Sequence, residues 1–139
     1  MKLIIKTLVF LSLLQASYLA ACTESTIPKT VVQAQIDAYN AHDVDLFVSC
    51  FSEDIEVIQL DGSRPTIKGR KMLKKEYSFL KRKPKEFKVE VISTSVVGPV
   101  VILHERLHGR ANGQFPLDLL AAYEVRKGKI TKLWFPPIH

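Results

Sequence analysis

Apolar residues recur with helical spacing in the first half of this chain and with strand spacing in the second. Val32, Ile36 and Tyr39 stand at i, i+4 and i+7, the spacing of one buried helical face. Asn40-Ala41-His42-Asp43 ends that helix, and Asp43 is placed to cap the next one. Leu46, Phe47, Cys50 and Phe51 share a face of a second helix over residues 44–51, and Ser52-Glu53-Asp54 breaks it. Residues 55–60 form a strand that Asp61-Gly62-Ser63 turns, and Gly69-Arg70 opens a third helix from Lys71 to about Leu80.

From Phe87 the period changes. Phe87, Val89 and Val91 alternate with Lys88 and Glu90, and Gly98-Pro99 turns the chain into a second long strand over 100–108. Asn112-Gly113 is a strong hairpin signal. Residues 115–125 and 129–135 complete the strands, joined at Lys127-Gly128. Helices first and strands later predict an α+β domain. The expected shape is a curved, mostly antiparallel sheet forming a cone, with three N-terminal helices on its concave face. Val100-Val-Ile-Leu103 and Leu117 to Ala122 are apolar on both faces. The outer face is therefore expected to meet something, most simply a second copy of the domain.

Residues 1–21 stand apart from this pattern. Lys2 and Lys6 precede an apolar run from Leu8 to Leu14, and Leu19-Ala20-Ala21-Cys22 follows. This is a leader for export, and its end matches a bacterial lipobox. The expectation is cleavage before Cys22, lipid on its thiol, and an envelope protein on the periplasmic side where two membranes exist. Residues 22–29 then form a tether and residues 30–139 the domain. With Cys22 taken by lipid, Cys50 is expected as a free buried thiol, and no disulfide is available. The formal charge is +6. The basic excess is concentrated between Lys68 and Lys88, a solvated face or a surface for anionic head groups. An exported, anchored protein is not expected to bind nucleic acid.

The stretch "AYNAHDVDLFVSCFSEDIEVIQLDG…IKGRKML" resembles the opening half of the nuclear transport factor 2-like superfamily, nearest its SnoaL-like and ketosteroid-isomerase-like branch. Tyr39-Asn40-Ala41-His42-Asp43, Phe51-Ser-Glu-Asp54 and Lys68-Gly69-Arg70 carry the resemblance, which extends to Gly128-Lys-Ile-Thr-Lys-Leu-Trp134. It implies a cavity between helices and sheet. By the same resemblance the general-base position falls on Gln59, which cannot take a proton near neutral pH, and the tyrosine position falls near Gln35 and Tyr39. Asp118 falls near the position of the protonated acid that donates to an oxyanion in those isomerases.

Three readings follow. The first is a domain that binds a small hydrophobic molecule through Gln35, Tyr39, Gln59, Asp118 and Trp134, without a cofactor. The second is an acid–base enzyme, of isomerase, dehydratase or cyclase type, using Asp118, His104 and Tyr39. The third is a dimerising structural envelope protein. His104-Glu105-Arg106-Leu107-His108 also matches the H-E-x-x-H zinc-peptidase pattern. That chemistry needs a helix. On the strand expected here the two histidines stand roughly 13 Å apart and share no metal.

Two pairings of the hairpin are open. In one, Asp118 lies opposite His104, and in the other opposite Leu107, on different faces of the sheet.

Overall fold

A computed structural model describes residues 21–137. Two helices come first, α1 (Pro28–Asn40) and α2 (Val44–Ser49), followed by strands β1 (Phe51–Gln59) and β2 (Ile67–Lys68). Helix α3 (Arg70–Tyr77) runs on into a 3-10 turn over Ser78–Arg82. Four strands finish the chain: β3 (Lys88–Val97), β4 (Val100–His108), β5 (Leu117–Arg126) and β6 (Lys129–Phe135). They form one curved, unclosed sheet in the order β2-β1-β6-β5-β4-β3. Only β1 and β6 run parallel; the other neighbours are antiparallel. The α+β cone with helices on its inner side is the expected architecture.

Local chemistry sets the helix ends. Pro28 supplies a pre-set φ in the first turn of α1. The Asp43 carboxylate accepts from Leu46 N–H at 3.0 Å and caps α2, as expected. The turn between them is also a tertiary clamp. Asn40 donates to Val89 O and accepts from Val89 N–H, both at 2.8 Å, so its amide replaces a missing strand neighbour along the outer edge of β3. His42 Nε2 sits 2.7 Å from Phe87 O.

Two boundaries differ from expectation. α2 ends at Ser49, not Phe51, because Cys50 and Phe51 are drawn into pairing with β6: Ile130 N–H donates to Cys50 O at 2.9 Å. Lys129 Nζ donates to Ser49 O at 2.6 Å, a cation on the last carbonyls of the helix. Ser52-Glu53-Asp54 does not break the chain but forms an irregular start of β1, where the register shifts before Glu56. Arg70 holds that irregular start, donating from Nε to Phe51 O and pairing from Nη1 with Glu53, each at 2.6 Å.

The two cysteines overturn an expectation. Cys50 is not free and Cys22 is not a lone thiol: they form a disulfide with Cα atoms 4.9 Å apart. A sulfur in that bond has no thiol left to carry a thioether-linked lipid. Spacing in sequence hid the pair, because the chain before α1 folds back along the end of α2. Of the leader expected over residues 1–21, all but Ala21 lies outside the described residues.

The core joins α1 and α2 to the inner face of the sheet through Val32, Ile36, Phe47, Ile55, Val101 and Ile130. The outer face carries an apolar row across four strands, Ile58, Trp134, Ala122 and Ile102, each paired with the next. The basic segment lies on the exterior. Lys74 pairs with Asp45 at 2.7 Å, and Lys83 stands 4.9 Å from the centre of the Phe87 ring.

Two outcomes follow. The disulfide spans 28 residues. Loop closure of that length is worth about 3–4 kcal/mol, so a reductant should lower the denaturant midpoint by that equivalent. No change on reduction would mean that the bond does not form. Gly109 has φ +69°, and a Cβ there would meet Glu86 and Phe87 backbone atoms at 2.4–2.5 Å. Gly109→Ala should therefore cost well over 1 kcal/mol, measured as a loss of thermal stability, whereas Gly113→Ala meets no such wall.

Candidate functional site: a cavity inside the cone

Alternation along β4 decides what faces the cavity. Val101, Leu103 and Glu105 point inward, and Leu107 also lines the cavity; Ile102, His104 and Arg106 point outward. The inward row thus contains one carboxylate. α1 brings Gln35 and Tyr39 over it, α3 brings Tyr77, β1 brings Val57 and Gln59, and β5 brings Tyr123. Together they enclose a cavity of about 590 Å³. Asp61, Arg64 and Glu76, all exposed, stand at its rim.

Glu105 is only 4% exposed. Its Oε1 accepts from Tyr123 Oη at 2.7 Å, while Oε2 has no hydrogen-bond partner among the described residues. Burial raises the Glu105 carboxyl above its ordinary range, and the Tyr123 hydrogen bond opposes that rise. Tyr77 is pushed up to about 12 by burial, then by the Glu105 charge. Burial also raises Tyr39 and Tyr123. All three phenols are therefore neutral donors over the physiological range. The Tyr39 and Tyr77 hydroxyls make no hydrogen bond within the described residues, and Gln35 Oε1 is buried without a partner. Apart from Gln59 and the polar rim, the rest of the wall is apolar, including an aromatic cluster in which Phe47 and Tyr77 lie 4.8 Å apart and Tyr39 and Phe47 5.9 Å apart. Glu105 can hold or release a proton at Oε2 beside these donors, with its own side chain buried.

Of the residues singled out from sequence, Gln35, Tyr39 and Gln59 do line this cavity. Asp118, His104 and Trp134 do not; they stand on the outer face. The hairpin register explains the error. Arg106 pairs with Asp118 and His104 with Leu120, a third pairing beside the two considered. The loop from Gly109 to Pro116 is wide, and Asn112-Gly113 sits in a short 3-10 turn inside it and does not form a tight two-residue turn. His104 and Asp118 do meet, diagonally, at 3.0 Å, but outside the cone. Arg106 donates to both Asp118 oxygens at 2.7 and 3.1 Å. Those bonds, Arg106's first and then His104's, hold the Asp118 carboxyl well below the usual range. An ionised, outward carboxylate cannot be the protonated donor that the resemblance implied.

The same parity divides the H-E-x-x-H pattern. His104 faces Asp118 and His108 faces Glu90 at 2.6 Å, both outside, while Glu105 between them faces in. The residue that matters was in view only as part of a zinc motif. The signal that could have found it is an acid standing alone in the alternating row Val101, Leu103, Glu105, Leu107. Phe135 was missed likewise: it lines the cavity, and its neighbour Trp134 turns outward.

A model of the SnoaL-like domain matches residues 32–133, spanning every element of this cavity except the tip of β6. The chain belongs to the SnoaL-like domain family. Solved structures share its fold. A cystatin fold protein from Novosphingobium aromaticivorans is similar with a TM-score of 0.69 and 24% identity, over 80% of this chain and 98% of that one. A putative polyketide cyclase from Sinorhizobium meliloti is similar with a TM-score of 0.64 and 20% identity, over 76% and 92%. A protein with a ketosteroid isomerase-like fold from Catenulispora acidiphila, in complex with trimethylamine, is similar with a TM-score of 0.63 and 16% identity, over 76% and 82%. No curated protein sequence matches this SnoaL-like chain.

The raised Glu105 carboxyl sets a pH signature. The folded state holds its proton to higher pH than the unfolded chain, whose value is the ordinary 4.5. The Glu105 contribution is therefore fully present below that value and is lost as pH rises through the folded one. Glu105→Gln does not titrate there. Wild type minus Glu105→Gln stability should fall with rising pH from about 4.5 and level off once Glu105 is ionised. A flat difference across that window, measured by denaturant titration, would place Glu105 in water.

Proposed function

We propose that this SnoaL-like protein binds a small, mostly apolar molecule in the cone, with one polar end against Glu105, Tyr39 and Gln35. One observation carries the reading: hydrogen-bonding groups on the cavity wall, the Gln35 Oε1 and the Tyr39 and Tyr77 hydroxyls, have no partner among the described residues. A buried polar group left unpaired costs roughly 1–3 kcal/mol. A cavity of this size falls within the roughly 300–1,000 Å³ of small-molecule sites. A ligand that reaches these groups recovers that cost, while Leu107, Leu133 and Phe135 cover its apolar part.

Export by the leader in residues 1–21 is part of the proposal, and the Cys22–Cys50 bond supports it, since disulfides persist in oxidising compartments. A lipid anchor on Cys22 and this bond exclude each other. Intact mass of the protein isolated from its host separates them, and an unlipidated chain lacking two thiol hydrogens is expected. A second copy is proposed to cover the outer row, where Ile102 is 40% exposed beside Ala122 and Trp134. Sedimentation of residues 22–139 at micromolar concentration should then give a dimer.

Gln35→Leu tests the binding reading. Removing the unpaired Oε1 should stabilise the free protein by about 1 kcal/mol. It should also weaken retention of any small molecule seen by native mass spectrometry. A protein that carries no small molecule from its host and takes up no apolar probe would refute the reading.

A further inference from the structure

Ionisable side chains are distributed unevenly between the cavity and the rest of the molecule. The chain as a whole carries +6. The residues that line the cavity include the acids Asp61, Glu76 and Glu105 against one base, Arg64. Arg64 is exposed at the rim and lies toward Tyr77, whose titration it lowers. Deeper in, Glu105 stands without a counter-ion. The groups brought to it are neutral: Tyr39 from α1, Tyr77 from α3 and Tyr123 from β5. Its strand neighbours are Val91 on β3 and Leu119 on β5. No Lys, Arg or His approaches its carboxylate within ion-pair distance among the described residues.

We propose that the cavity selects small organic cations, a protonated amine or a quaternary ammonium, with Glu105 as their counter-ion. This rests on the binding reading above and narrows it. A buried carboxylate with a free oxygen lacks only an opposite charge, which none of the described residues supplies. A bulky ammonium brings that charge at a low desolvation cost and adds apolar surface for the walls. The rings of Tyr39, Phe47 and Tyr77 suit the same guest, because a cation over a ring face is attracted by the ring quadrupole, while Phe79 and Phe87 already face Lys83. Gln35, which lines the same cavity, has a buried and unpaired Oε1, a second acceptor beside it.

The proton balance gives the binding a direction in pH. Where Glu105 is protonated in the free protein, taking up a cation sends that proton to solvent. Affinity for a quaternary ammonium should therefore rise with pH through the Glu105 titration and then level.

A pair of probes of one shape and different charge tests the proposal: (3-hydroxyphenyl)trimethylammonium and its uncharged carbon isostere, 3-tert-butylphenol. Calorimetry uses residues 22–139, which hold every element of the fold. At about pH 7, where both probes keep their phenol protons, the cation should bind at least about tenfold more tightly than 3-tert-butylphenol. The preference should shrink as pH falls through the Glu105 titration and disappear in Glu105→Gln. The wild-type pH profile needs no substitution, so it decides the matter even if that variant folds poorly. Equal or tighter binding of 3-tert-butylphenol would overturn the cation proposal and leave the binding reading intact. Binding of neither probe, with no small molecule carried from the host, would sink both.

Discussion

The parallel pairing of β1 with β6 is the constraint on which the rest of this structure depends. It joins a strand from the helical first half to the last strand of the chain, with Phe51 opposite Ile130 and Val57 opposite Leu133. Everything near the N-terminus is tied at that seam. Ile130 bonds the Cys50 carbonyl, Lys129 bonds that of Ser49, and Cys22 is bonded to Cys50. Arg70 reaches Phe51 from the start of α3. Without the seam, α2 and the start of α3 lose their anchor on the sheet, and α1, in the roof of the cavity, is held only by its packing and its contacts with β3.

The far side of the cone is held differently. β3 lies at the edge of the sheet, and its outward backbone groups need partners. Asn40 supplies two at Val89, and His42 meets Phe87. A turn that reads as a helix stop is thus also the clasp that brings α1 against β3. Beyond that clasp the edge is uncovered, and Val97 is 73% exposed. The roof therefore reaches only part of the sheet, and polar side chains concentrate beneath it. Glu105, Tyr123, and the α1 pair Tyr39 and Gln35 are placed by three separate segments of chain around one cavity. There burial raises a carboxyl and three phenols, while an arginine and a histidine on the outer face lower Asp118. One sheet, a few ångströms thick, separates two environments of opposite effect on an acid.

Much of the architecture was legible because it is local. The apolar spacing of Val32, Ile36 and Tyr39, the Asp43 cap and the two-residue alternation of the strands depend on neighbours within a few positions. These features determine the α+β class, the order of elements and the inward placement of Gln35, Tyr39 and Gln59. The composition and the leader pattern of residues 1–21 are likewise properties of the sequence alone.

The hairpin register, the cysteine pairing and the acid at the centre of the cavity were decided only by tertiary structure. Register depends on how a wide loop from Gly109 to Pro116 closes, with Gly109 pressed against Glu86 and Phe87, far away in sequence. Because side chains alternate, that closure fixed whether Asp118 or its neighbours faced inward. The disulfide depends on a fold-back that brings residues 28 positions apart to one corner. Glu105 owes its chemistry to burial by helices and strands distant from it in the chain. A carboxylate's identity can be read from a sequence, but its desolvation is a property of what packs around it.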